Sequence, residues 1–141
     1  PGGATRLDSG MVIWWRPPVH AGSFDELPTG PEVAWRPDLD IYESAAEYAL
    51  VFDVPGVQPE DLEVTLAGQT LSVAGLRRGL PGGLVAHLLE SARGSFGRLI
   101  RLPASADVTG LRTELRDGQL VVTVPKRVAP AVTVRIGVAR P

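Results

Sequence analysis

Residues Leu115 to Lys126 read LRDGQLVVTVPK, and their reading decides the fold. Asp117-Gly118 is a two-residue polar pivot between short, alternating apolar runs. Asp-Gly tolerates the positive φ angles of a type I′ turn, whose twist matches that of two antiparallel strands. The spacing predicts a hairpin with strands around Arg112 to Arg116 and Gln119 to Val124. Pro125, with no N–H to give a ladder, is expected to end the pairing.

The same period of two recurs upstream. In DLDIYE (Asp38 to Glu43), Leu39 and Ile41 share a side. In EYALVFDV (Glu47 to Val54), Tyr48, Leu50, Phe52 and Val54 do so, as half-buried strands require. PGVQPED (Pro55 to Asp61) interrupts, with Pro-Glu-Asp suited to one helical turn. LEVTLAGQTLSVAG (Leu62 to Gly75) reads as a second hairpin, with Leu62, Val64 and Leu66 inward, a turn at Gly68-Gln69, and Leu71 and Val73 returning. LRRGLPGGL (Leu76 to Leu84) is a flexible connection, and LVAHLLES (Leu84 to Ser91) is an apolar run that strand and helix fit equally. SFGRLIRLP (Ser95 to Pro103) alternates again, as does VTVRIGV (Val132 to Val138). Before all of these, MVIWWRPP and SFDELPTGPE carry too many prolines for a long helix or a central strand, and at most a short helical turn is expected around Phe24 to Leu27.

Seven to nine short strands without a long helix indicate an all-β fold, an immunoglobulin-like antiparallel β-sandwich. The division is an N-terminal arm over 1–35, a sandwich domain over 36–127 and a C-terminal extension over 128–141. A chain of 141 residues has room for one such domain. Apolar residues at 44% and charged residues at 21% are ordinary for a folded protein.

Composition also narrows function. A formal charge of −2 disfavours a phosphate-binding surface, so no nucleic-acid partner is expected. The longest apolar run, Met11 to Trp15, is far short of the roughly 20 residues of a membrane span. The absence of cysteine removes thiolate chemistry and suits a reducing, cytoplasmic setting. Histidines stand only at His20 and His87, too scattered for a metal site. GSFG (Gly94 to Gly97) lacks the spacing of a nucleophile elbow, and GLPGG (Gly79 to Gly83) lacks a phosphate loop's lysine. No catalytic residue, metal or cofactor is expected. Arg98 stands out, because it shares parity with Phe96, Ile100 and Leu102. Either it joins a buried network or it snorkels to water, and the pattern alone leaves both open.

Three stretches, in this order, carry a resemblance: Arg36 to Arg78, GSFGRLIRLPASAD (Gly94 to Asp107) and TELRDGQLVVTVPK (Thr113 to Lys126). Together they resemble the small heat-shock protein family, whose shared unit is the α-crystallin domain. The last contains a form of the family's Ala-x-x-x-Asn-Gly-x-Leu pattern, with Thr113 in place of Ala, Asp117 in place of Asn, and Gly118 and Leu120 retained. The resemblance implies that Arg98 lies near a dimer contact, which favours the network reading. It implies that Leu84 to Glu90 pairs with the edge of a partner's sandwich, making Leu84, Val85, His87, Leu88 and Glu90 dimer-interface candidates. It also implies an Ile-x-Ile-like docking pair at Val134 and Ile136, although Val132/Val134 and Ile136/Val138 have the same spacing.

The expected function is an ATP-independent holdase that binds partly unfolded proteins and limits their aggregation under stress. It would act as a homodimer, with larger homo-oligomers left open. Candidates for client binding are Val12, Ile13, Trp14, Trp15, Phe24 and Leu27 in the arm, and Val64, Leu66, Thr113 and Leu115 along an edge groove. Beside this stands the plainer reading that the arm aromatics pack on the sandwich and that the groove positions are core. The alternative function is a co-chaperone or scaffold that binds one folded partner.

Overall fold

The computed structural model describes residues 3–6, 12–15, 24–128 and 134–141. Its body is a sandwich of two four-stranded antiparallel sheets. One sheet has the order β4-β5-β10-β9, with β4 at Leu39–Glu43, β5 at Glu47–Asp53, β9 at Arg112–Arg116 and β10 at Gln119–Pro125. The other has the order β3-β8-β7-β6, with β3 at Asp25–Leu27, β6 at Leu62–Ala67, β7 at Thr70–Arg77 and β8 at Gly94–Arg101. A separate ladder joins β1 (Gly3–Arg6) to β2 (Val12–Trp15). Alternation explains the layers, because the buried side chains are every second residue. Tyr48, Leu50 and Phe52 come from β5, Leu120, Val122 and Val124 from β10, Leu71 and Val73 from β7, and Phe96 and Ile100 from β8. Each such side chain contributes roughly 1.5–3 kcal/mol when fully buried.

The hairpin around Asp117-Gly118 forms as expected, with φ of 51° and 77° at the two turn residues. Val54 N donates to Gly118 O at 2.8 Å, which ties the turn to the end of β5. The second hairpin reverses at Gly68, whose φ is 62°. Pro59–Asp61 makes the single helical turn read from Pro-Glu-Asp, in 3₁₀ form, and Val108–Gly110 makes another. Asp107 caps the latter, its Oδ1 accepting from Thr109 N at 3.1 Å.

Several expectations are corrected. Phe24 to Leu27 is no helical turn: Asp25, Glu26 and Leu27 pair with Arg101, Ile100 and Leu99 of β8. Pro125 ends β10 but is itself the last paired residue, opposite Glu47; Lys126 makes only an isolated bridge to Ala106, and the proline carbonyl accepts from Asp107 N at 2.8 Å. A proline lacks only the donor, so its acceptor still serves a neighbour. Leu66 does not turn inward like Leu62 and Val64 but is 38% exposed near the end of an edge strand. Leu84 to Ser91 adopts neither helix nor strand, and the described part of the last alternating stretch, 134–138, has no regular structure. Val132 lies outside the described residues.

Candidate functional site

The two flanks of the sandwich differ. On one, β3 faces β4 across a cavity of about 190 Å³ lined in part by Phe24, Leu39, Ile41 and Ile100. β6 and β9, the opposite ends of the two sheets, therefore share the other flank. The four groove candidates gather there in two pairs. Val64 and Leu115 are half-buried and pack against the core, whereas Leu66 and Thr113 are open to solvent. Arg112, Glu114 and Arg116 alternate in charge along β9, a usual guard against unwanted strand addition at an unpaired edge. The flank thus offers limited apolar surface beside an open backbone edge.

The loop joining β7 to β8 holds a cluster of exposed large apolar side chains. Leu84 is 67% exposed, Val85 84% and Leu88 75%, with Leu89 also exposed. His87 and Glu90 are exposed on the same segment. The start of the loop is pinned where Arg78 Nε and Nη2 donate to the two oxygens of Asp61, each at 2.9 Å. A run of large aliphatics left in water is a mark of an interaction surface.

Arg98 joins a network within its own chain. Its Nη1 donates to Pro37 O at 2.7 Å and its Nη2 to Glu26 Oε2 at 2.7 Å. Glu26 also pairs with Arg36. The Arg98 side chain is only 13% exposed, and its Nε is buried without a partner. Snorkelling is thereby excluded for the single chain. Glu26, Arg36 and the Pro37 carbonyl were not legible as members of this site. The one available signal was chemical, since a half-buried guanidinium needs a carboxylate, but nothing in the pattern selects an acid 72 residues away.

The remaining candidates are dispersed. The Val12 to Trp15 backbone forms β2, with Trp14 opposite Ala4 and Trp15 opposite Gly3, while those side chains lie outside the described residues. Phe24 packs its ring edge-on against Tyr48 at 5.3 Å, and Leu27 is half-buried opposite Leu99. Val134 and Ile136 are both exposed.

Reactive constellations do not emerge among the described residues. No group of three or more His, Cys, Asp or Glu side chains is placed to hold a metal ion. The carboxyls that are perturbed move away from acid catalysis: Arg78 holds Asp61 below its ordinary value, and the Thr109 hydroxyl does the same to Asp107. No helix among the described residues is long and apolar enough to cross a membrane. What the arrangement offers is exposed apolar side chains and open strand edges.

Comparison with known proteins points the same way. A match to the Hsp20/alpha crystallin family covers residues 40–138. The 19.0 kDa class II heat shock protein of Oryza sativa is 39% identical over 102 residues, which span 65% of this chain and 58% of that protein. The chloroplastic heat shock 22 kDa protein of Chlamydomonas reinhardtii is 36% identical, over 66% of this chain and 62% of its own length. The crystal structure of a small heat-shock protein from Xylella fastidiosa superposes with a TM-score of 0.67 at 34% identity, covering 77% of this chain and 100% of that one. The chain thus spans less than two thirds of these two curated relatives, but the whole of the bacterial structure.

Proposed function

We propose, from the premise that this chain belongs to the Hsp20/alpha crystallin family, that it is an ATP-independent holdase. Members of this family are non-enzymatic chaperones. The observation that carries the proposal is the contrast between a closed core and the aliphatic side chains left in water at Leu84, Val85, Leu88, Val134 and Ile136. Such a protein captures partly unfolded chains through apolar surface and breaks no bond, so it needs no cofactor.

The division of labour follows the chain. Residues 1–35 supply capture surface, with Asp25–Leu27 the part of the arm that docks on the sandwich. Residues 36–127 form the sandwich domain, and 128–141 the extension. Leu84 to Glu90 joins two copies into a dimer, with Arg98 near the contact as the family resemblance implies, while Val134 and Ile136 dock on the β6/β9 flank of a neighbour. A cytoplasmic location belongs to the proposal and is supported by the cysteine-free composition. Family membership alone does not set the compartment, as the chloroplastic relative shows.

The test is suppression of aggregation of a thermally unfolding enzyme, without nucleotide, by the full chain and by a chain lacking residues 1–23. A cut at Pro31 would also strip β3 from β8 and Glu26 from Arg98, so the earlier cut isolates the arm. Protection by the full chain that weakens on truncation is expected. No protection by either, together with tight binding of one folded partner, would replace the holdase with a scaffold.

A further inference from the structure

We infer that residues 24–27 form a removable cover, held shut by the carboxylate of Glu26, over an apolar strip at the rim between the two sheets. This rests on the reading above that accessible apolar surface is the working part of the molecule, and it names what controls part of that surface. β3 has three residues, sits at the end of its sheet and pairs on one edge only. So short an edge strand has little backbone hold, and its side chains must supply the rest.

Two of them do. Phe24, just before β3, sets its ring edge-on against Tyr48 at 88°. Glu26 receives Arg98 Nη2 at 2.7 Å and pairs also with Arg36. Against them lie Tyr48, under the Phe24 ring, and Ile100, the register partner of Glu26 on β8, 5% and 2% exposed, and the cavity beside them is also lined by the half-buried Leu39 and Ile41. A cavity of about 190 Å³ already lies between β3 and β4, so the apolar side of the cover borders open space.

Chemistry makes Glu26 the latch. If β3 lifts, Arg98 keeps the Pro37 carbonyl alone, with Nε already lacking a partner. The guanidinium fork is therefore matched only while Glu26 is present, through a charge-assisted bond. The other end of the pair is wet, because the Glu26 side chain is 38% exposed and Arg36 54%. An ion pair that reaches water at one end is weakened by screening and competing hydration, so this contact can open without unfolding the core.

The test uses the full chain with Glu26→Gln, which keeps the shape and one acceptor oxygen but removes the charge and turns the second oxygen into an NH2 donor. Amide exchange in residues 24–27 is expected to accelerate at least ~10-fold, with exchange in β5 and β10 unchanged and binding of an apolar fluorescent dye increased. A second variant carries Asp25→Cys and Arg101→Cys, register partners on adjacent strands. Antiparallel partners lie about 4.5–5.5 Å apart at Cα, within disulfide range. Oxidation should slow exchange in 24–27 and lower dye binding, and reduction should restore both. Unchanged exchange in Glu26→Gln, or faster exchange throughout the core, overturns the proposal, the latter by making β3 a structural brace. Neither readout uses a client, so a chain that fails to protect clients would sink the holdase and leave the cover standing.

Discussion

At Gly75 of β7 a single hydrogen stands where a methyl group cannot. A Cβ there would lie 2.3 Å from Asp61 O and 2.6 Å from Phe96 Cζ, the first a backbone atom and the second part of a buried ring. Gly75→Ala is expected to cost roughly 1–3 kcal/mol in urea unfolding, the usual range for overpacking. Gly97→Ala makes the contrast, since its Cβ would meet nothing nearer than Val33 Cγ2 at 3.4 Å. That substitution should change stability by less than about 1 kcal/mol, because the contact is tolerable and the unfolded chain loses freedom. Arg98→Ala leaves the Pro37 carbonyl without its donor and Glu26 with Arg36 alone. A loss of about 1.5–3 kcal/mol is expected, as for hydrogen bonds to charged groups. Arg98→Lys should recover part of it, since an ammonium keeps the charge but not the fork.

Elements differ in how plainly the sequence declared them, and the reason is where their stability comes from. β5 and β10 bury alternate residues against the facing sheet, so period-two hydrophobicity announces them. The Asp117-Gly118 turn was legible because few residue pairs accept two positive φ angles in succession. β3 was not legible: Asp-Glu-Leu has no apolar alternation, and its hold comes from Arg98 and Tyr48, far along the chain. The Leu84 to Ser91 run left strand and helix open and is neither, because hydrophobicity reports an appetite for contact and not whether the contact lies in the same chain. If that contact is another copy, Leu84→Lys with Leu88→Lys should yield monomers by light scattering whose unfolding midpoint no longer rises with protein concentration. The two 3₁₀ turns allow a pH prediction. Asp61 and Asp107, beside or within them, have folded values held below 3.8, by Arg78 and by Thr109 respectively. A depressed carboxyl contributes stability that is complete above its unfolded value, near 3.9, and is lost as pH falls through the lower folded value. Replacing both with Asn should lower stability at pH 7 and flatten its decline below about pH 4, as followed by urea midpoints across pH.

For the whole molecule, the body and its extension answer to different energies. Every residue of the buried core lies between Tyr48 and Val124, and 134–141 add nothing to it. Two aliphatic side chains such as Val134 and Ile136 gain roughly 3–6 kcal/mol on full burial, while ordering the backbone costs about 1–2 kcal/mol for each residue fixed. These terms nearly cancel over a few residues, so docking on a neighbour would exchange readily and depend on protein concentration. Removing residues 128–141 is therefore expected to leave the unfolding free energy of the body within about 0.5 kcal/mol of the full chain. Its effect should appear in mass distribution, with larger species lost at concentrations where the full chain retains them. The register follows from single substitutions read by the same light scattering. Val134→Ser and Ile136→Ser should each reproduce the truncation and Val138→Ser should not, whereas loss on Val138→Ser with Val134→Ser silent would move the docking pair to Ile136 and Val138.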